Sequence, residues 1–425
     1  MDVREIADLG PDERAAIFDR GGGVADVLDD VREVVERVRT EGDVAVREYT
    51  REFDDVEVGN LEVTGRLEDA RERVDEAVLA ALERAAANVR AFHERQVPDD
   101  WREEFGEGRE LGRRFRPLER VGVYVPGGAA AYPSSALMGV VPARVACVEH
   151  VAVATPPAEE LNPVTLAALD VAGADAVYQV GGAQAVGALA YGTESVGAVQ
   201  KVVGPGNRWV TAAKAAVRGD VEIDFLAGPS EVLVVADDTA DPDLVAADVV
   251  AQAEHDADAS AAAVTDDADV AAAVAAAVEA RVDDRDRAET IRAALAGDAS
   301  GVFLARSMSE AVSFADEYAA EHLSIQADAD EALLDRIDSA GSVFLGPWTP
   351  VAAGDYASGT NHVLPTGGLA RVAGGLSVDH FLRAQTVQRC SREGLADIAD
   401  VVTTLAEAEG LEAHAWSVRE RFDGA

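Results

Sequence analysis

Residues 150–192, HVAVATPPAEELNPVTLAALDVAGADAVYQVGGAQAVGALAYG, decide the fold. "HVAVATPP" and "DAVYQV" are short apolar runs of the length of a buried strand. "ELNPVTLAALDVAGA" and "GGAQAVGALAYG" between and after them are rich in alanine and leucine and read as helices. The same alternation continues through "VQKVVG", "NRWVTAAKAAV" and "VEIDFLAG". Strand and helix in strict turn imply βα units and hence parallel sheets. Beyond residue 230, "EVLVVADDTADPDLVAADVVAQAEH" and "AAAVTDDADVAAAVAAAVEARV" each join an apolar strand to an Asp-rich helix entry and an amphipathic helix, as two copies of one unit would.

The flanks read differently. Between about residues 25 and 118 the pattern predicts long charged helices whose apolar positions fall three and four apart, suited to covering a sheet face. From about residue 377 the chain is expected to turn helical again, without an apolar core of its own. Such a segment must dock on its own chain or on a partner subunit.

The chain has 425 residues, too many for one ordinary core, and 48% of them are hydrophobic. No uncharged apolar run of about 18 residues occurs, and the start, "MDVREIADLGPDER", is charged where a secretion signal would be apolar. The expected location is the cytoplasm. The net charge is −42, and Lys201 and Lys214 are the only lysines. An acidic skin spread over every segment repels itself in dilute buffer and is relieved at molar salt, so it reads as adaptation to a salty cell. With no basic stripe to neutralise phosphates, nucleic acid and anionic membranes are excluded as partners. Cys147 and Cys390 lack metal or disulfide spacing and are expected to be inert, buried thiols.

Three of the seven histidines keep chemically useful company. Gln252 and His255 of "AQAEH" lie three apart near a helix end and share a face, as metal ligands or as a solvated polar end. Glu321 and His322 open "EHLSIQ" at a strand entrance, where the pair can exchange protons near neutrality or simply face solvent. Asp355 and His362 lie in "GDYASGTNHVLPT", a turn-rich stretch without periodicity. His93, His150, His380 and, on local grounds, His414 read as structural or surface residues. The glycine turns "VYVPGG", "QVGGAQAVG" and "VGPGN" each follow an apolar strand, where a ligand's phosphate or ribose can approach the backbone. None is GxGxxG, so the usual dinucleotide fingerprint is absent.

Together the motifs "VGVYVPGG", "YQVGGAQAVGALAYGTE", "VVGPGN", "IDFLAGPSEVLV", "AQAEHDADA", "EHLSIQ", "AGDYASGTNHVLPT" and "LAEAEGLEAH", in that order, resemble the histidinol dehydrogenase family over nearly the whole chain. The resemblance implies a zinc- and NAD-dependent enzyme that oxidises L-histidinol to L-histidine in two steps through bound histidinaldehyde. It implies zinc ligands at Gln252, His255, Asp355 and His414, substrate contacts at these four and at Ser230, His322, His362 and Glu409, and NAD contacts at Tyr124, Gln184 and Asn207. His322 is implied as the general base and Glu321 as the activator of water. The implied fold class is α/β, with two related incomplete Rossmann-like parallel-sheet domains and small helical terminal extensions. The expected division is 1–24 as N-terminal extension, 25–120 plus 231–370 as the first domain, with metal and catalytic residues, 121–230 as the second, with the NAD contacts, and 371–425 as a C-terminal extension. That extension is expected to be exchanged in a homodimer, placing Glu409 and His414 in the neighbour's site. A zinc hydrolase is the main competing reading, but no HExxH occurs and the glycine turns would go unexplained. A non-catalytic scaffold that kept the fold is the other, opposed by the intact Glu321 and His322.

Overall fold

The structure is a computed structural model describing residues 1–127 and 131–423. Gly128, the last glycine of "VYVPGG", lies outside the described residues. The chain divides into two compact units, Met1–Gln96 with Glu119–Phe381, and Val97–Leu118 with the chain from Leu382 onward.

The first unit holds two parallel sheets. Its six-stranded sheet runs in the order Val3–Glu5, Gly301–Leu304, Ser260–Thr265, Glu231–Ala236, His322–Gln326 and Ser342–Leu345. Its five-stranded sheet runs Ala176–Gln179, His150–Thr155, Arg120–Tyr124, Lys201–Val203 and Glu222–Ile223. Every residue of Glu231–Ala236 and Ser260–Thr265 is buried, as strands covered by helices on both faces must be. The helices start where the sequence places caps. Asn162, Asn207, Asp241 and Asp267 each accept backbone N–H groups of the first turn with their side chains. Pro163 and Pro242 follow two of these caps, where the missing N–H costs nothing.

The expected amphipathic helices are present, but they cover other helices instead of a sheet face. In Val24–Glu41 the stripe Val27, Val31, Val34, Val35 and Val38 is buried against helices Gly182–Tyr191 and Arg208–Val217. Helix Glu76–Glu94 lies in the same way on Pro133–Val145 and Pro163–Ala172. The sheet faces are already filled by the βα crossovers, so these helices form an outer layer.

The second unit corrects the all-helical expectation for its part of the chain. Leu382–Cys390 is a strand, paired antiparallel with Arg109–Pro117, which also pairs with Trp101–Glu104. Helices Arg392–Ala408 and Glu412–Asp423 follow. Trp101–Glu104 is exposed throughout, and Val401, Leu405, Leu411 and Trp416 are exposed on or beside the helices, so this unit buries little by itself. Both cysteines are free, as expected, but exposed instead of buried. Cys147 sits in the turn after helix Pro133–Val145 with φ 64°, and Cys390 ends the outer strand. Among the described residues no helix is long and apolar enough to cross a membrane.

Candidate active site

Ser230 and Glu231 stand at the amino end of one central strand of the six-stranded sheet, and Glu321 and His322 at the amino end of its neighbour. Helix Pro242–Ala253 runs back along the sheet and delivers Gln252 and His255 to the same edge. Asp355 belongs to a short helix, Val351–Tyr356, so the turn-rich stretch without periodicity begins as a helix and becomes irregular only after Tyr356.

Glu321 is buried, and its Oε2 accepts the Ser230 hydroxyl at 2.7 Å and the Glu231 N–H at 2.8 Å. Burial nevertheless dominates and pushes its carboxyl up to about 7. His322 is 3% exposed, and its Nδ1 donates to the Glu231 carbonyl at 2.9 Å. A carbonyl only accepts, so Nδ1 keeps its hydrogen in either charge state and Nε2 is the nitrogen that gains or loses the second proton. That nitrogen lies 3.4 Å from Asp355 Oδ1. Burial opposes the charged imidazole, but the carboxylates of Glu321 and Asp355 outweigh it and raise His322 to about 9. Burial also works against the Asp355 carboxylate. The imidazoles of His322, His362 and His255 outweigh it and hold Asp355 below the usual range.

Gln252 Nε2 donates to Ser230 Oγ at 2.8 Å, which turns its amide oxygen away from that chain of bonds. Gln252 Oε1 is buried and has no hydrogen-bond partner. His255, half exposed, places Nε2 4.0 Å from Asp355 Oδ2. His362 Nδ1 donates to the Asp355 carbonyl at 2.9 Å, and its Nε2 accepts from Ser135 Oγ at 3.2 Å. Asn361 Nδ2 donates to the Met138 carbonyl at 2.8 Å. Both bonds fasten the loop to helix Pro133–Val145, which leaves the carboxyl end of strand Arg120–Tyr124. The amino edge of one sheet therefore faces the carboxyl edge of the other.

On that carboxyl edge the strand order reverses between Arg120–Tyr124 and Lys201–Val203, the position at which open parallel sheets receive ligands. Tyr124 is buried, its hydroxyl accepts the Gly182 N–H at 3.2 Å, and burial raises its pKa to about 12. Gln184 is buried, with Nε2 3.4 Å from Asp54 Oδ2 and Oε1 without a partner. Asn207 is exposed and caps the helix after "VGPGN". Glu409 and His414 belong to the second unit and are exposed there. His93, expected to be structural, is fully buried and bonded through Nδ1 to the Val89 carbonyl at 2.7 Å.

Sequence patterning carries no signal for Ser135, Asp54 or the Arg20–Glu231 pair. Arg20 Nε meets Glu231 Oε1 at 2.8 Å, and the Gly367 N–H donates to the same oxygen at 2.7 Å. This pair holds in place the residue whose carbonyl orients His322. Only the burial of a glutamate in an otherwise apolar strand could have pointed to it.

Fold and site together define an α/β enzyme with a buried carboxyl–imidazole pair at the amino edge of one parallel sheet and a strand-order reversal at the carboxyl edge of the other. The histidinol dehydrogenase family profile matches residues 20–422. Histidinol dehydrogenase of Haloarcula marismortui is 73% identical over the full length of both chains, and that of Halobacterium salinarum 71%. The crystal structure of histidinol dehydrogenase from Elizabethkingia anophelis superposes with a TM-score of 0.94 at 37% identity, covering 99% of this chain and 98% of that one. The chain belongs to the histidinol dehydrogenase family.

Proposed function

We propose that this enzyme oxidises L-histidinol to L-histidine in two successive NAD-dependent steps through bound histidinaldehyde, the last reactions of histidine biosynthesis. The observation that carries the mechanism is the buried Glu321–His322 pair, with His322 held so that Nε2 is the nitrogen that exchanges protons. It acts as a base in the neutral fraction of the ring, which grows as pH rises toward about 9. His322 Nε2 takes the hydroxyl proton of the alcohol as hydride departs. Glu321, poised near neutrality, takes a proton from the water that adds to the aldehyde. Loss of a second hydride from the hydrate, with its proton again passing to His322, completes the acid. One alcohol, one water and two NAD⁺ thus give one carboxylate, two NADH and three protons.

Among the described residues no group of three or more His, Cys, Asp or Glu side chains stands ready to hold a metal ion. The donors in the first unit still suit zinc: one imidazole, one carboxylate and the buried, unpartnered oxygen of Gln252. We assign zinc to Gln252, His255, Asp355 and His414 of the partner subunit, where it would clamp the imidazole and amine of the substrate. Ser230, His362 and Glu409 of the partner subunit complete the substrate contacts. We assign the NAD contacts to Tyr124, Gln184 and Asn207, which lie at or just beyond the carboxyl ends of strands of the five-stranded sheet. A homodimer is supported by the second unit, whose exposed Val401, Leu405 and Trp416 need a surface to cover. The acidic composition, together with the similarity to the enzymes of Haloarcula marismortui and Halobacterium salinarum, supports work at high salt.

Purified protein given L-histidinol, NAD and zinc in molar KCl is expected to form NADH and histidine. Absence of NADH under these conditions contradicts the assignment.

A further inference from the structure

We propose that the buried Lys214–Asp224 ion pair is a positioning device that holds the loop Gly204–Asn207 in the conformation that receives NAD. The inference rests on the cofactor reading above and adds two residues to it.

The starting point is compositional. Of 37 basic Lys and Arg residues only two are lysines, and neither lies free on the surface. Lys201 is partly buried and donates to the His380 carbonyl at 2.8 Å. Lys214 is 3% exposed in its side chain and pairs with Asp224, whose side chain is 0% exposed. Relative to apolar residues of the same size, a buried ion pair adds little or nothing to stability, so stability alone does not account for it.

Its geometry offers another reason. Lys214 Nζ donates to the Gly204 carbonyl at 3.1 Å, and Asp224 Oδ2 accepts the Gly204 N–H at 2.8 Å. One ion pair thus grips both polar groups of a single loop residue. Gly204 has φ +112°, and a Cβ there would lie 2.2 Å from the Tyr124 carbonyl oxygen, so the loop presses on the strand that ends in Tyr124. Its other end is Asn207, the cap of the helix that carries Lys214. The helix therefore secures the loop that starts it. A compact ammonium on a long stem can reach both acceptors where the planar, wider guanidinium is harder to fit. Because the pair is buried, molar salt screens it far less than the surface charges.

The test uses the full-length enzyme in molar KCl, comparing wild type with K214M/D224N, which removes both charges together and leaves an acceptor for the Gly204 N–H. NAD binding is read by calorimetry, and KM values are measured separately for NAD and L-histidinol. The NAD Kd and KM are expected to rise roughly tenfold as loop ordering is charged against binding. The histidinol KM and kcat at saturating NAD are expected to stay within roughly twofold, a split that general loss of structure would not give. Should the double variant not fold, Lys214→Arg, which keeps the charge but not the shape, is read in the same way, with an expected rise of about threefold. An unchanged NAD Kd in the folded variant overturns the positioning role and leaves the cofactor reading standing. Wild-type enzyme that binds no NAD overturns both.

Discussion

The Nδ1 hydrogen of His322 is committed to the Glu231 carbonyl at 2.9 Å, and Glu231 is itself fixed by Arg20 and the Gly367 N–H. Proton transfer at Nε2 therefore depends on a chain of buried bonds, none of which touches substrate. Replacing His322 by Asn keeps a polar group of similar size and removes the base. Turnover is expected to fall roughly 10²–10⁴-fold with little change in melting temperature. Unchanged turnover would show that the proton goes elsewhere. The pairing of Glu321 with His322 was legible in "EHLSIQ", because adjacent acid and imidazole at a strand entrance are unusual. What the sequence could not convey is that Ser230 and the Glu231 backbone both bond Glu321, or that Ser135 reaches His362 from 227 residues away. Those contacts depend on which sheet edges meet, and no local pattern encodes that.

At the scale of elements, three of them carry the assigned chemistry, and one buried carboxylate ties them together. Asp248, one helical turn before Gln252, accepts from Gln326 Nε2 at 3.0 Å at the far end of the His322 strand. It also accepts the Val351 N–H at the start of the helix that holds Asp355. Burial raises its carboxyl to about 6, well above an unfolded aspartate. The folded state then binds more protons than the unfolded one between about pH 4 and 6, so the contribution of Asp248 to stability falls as pH rises through that window. Asp248→Asn is expected to gain stability relative to wild type across that window and hold the gain above it, measured by thermal unfolding at constant KCl. A difference that does not vary with pH would contradict the burial argument. The βα alternation was readable because strands buried on both faces are apolar runs and Asp or Asn caps mark the helix starts. Leu382–Cys390 was not, because "LRAQTVQRC" on a mostly exposed sheet lacks the apolar content that marks a strand.

For the whole molecule, charge and assembly matter most. A net charge of −42 penalises compactness in dilute buffer, and salt removes that penalty. The proposed exchange of helices makes a sharper claim, that His322 of one subunit works with His414 of the partner subunit. Mixing two inactive variants, His322→Asn and His414→Asn, under conditions of subunit exchange places both intact residues in one of the two sites of each heterodimer. Activity is then expected to recover to about a quarter of wild type. No recovery, with exchange verified by mass, would mean that each subunit completes its own site.

The four-electron reaction is the central claim, and its most direct test is the amount of NADH formed per L-histidinol consumed to completion. Two buried proton acceptors serving two oxygens predict a yield of about two, with histidine as the product. A yield of about one, with histidinaldehyde released, would contradict the account and leave Glu321 without its assigned task.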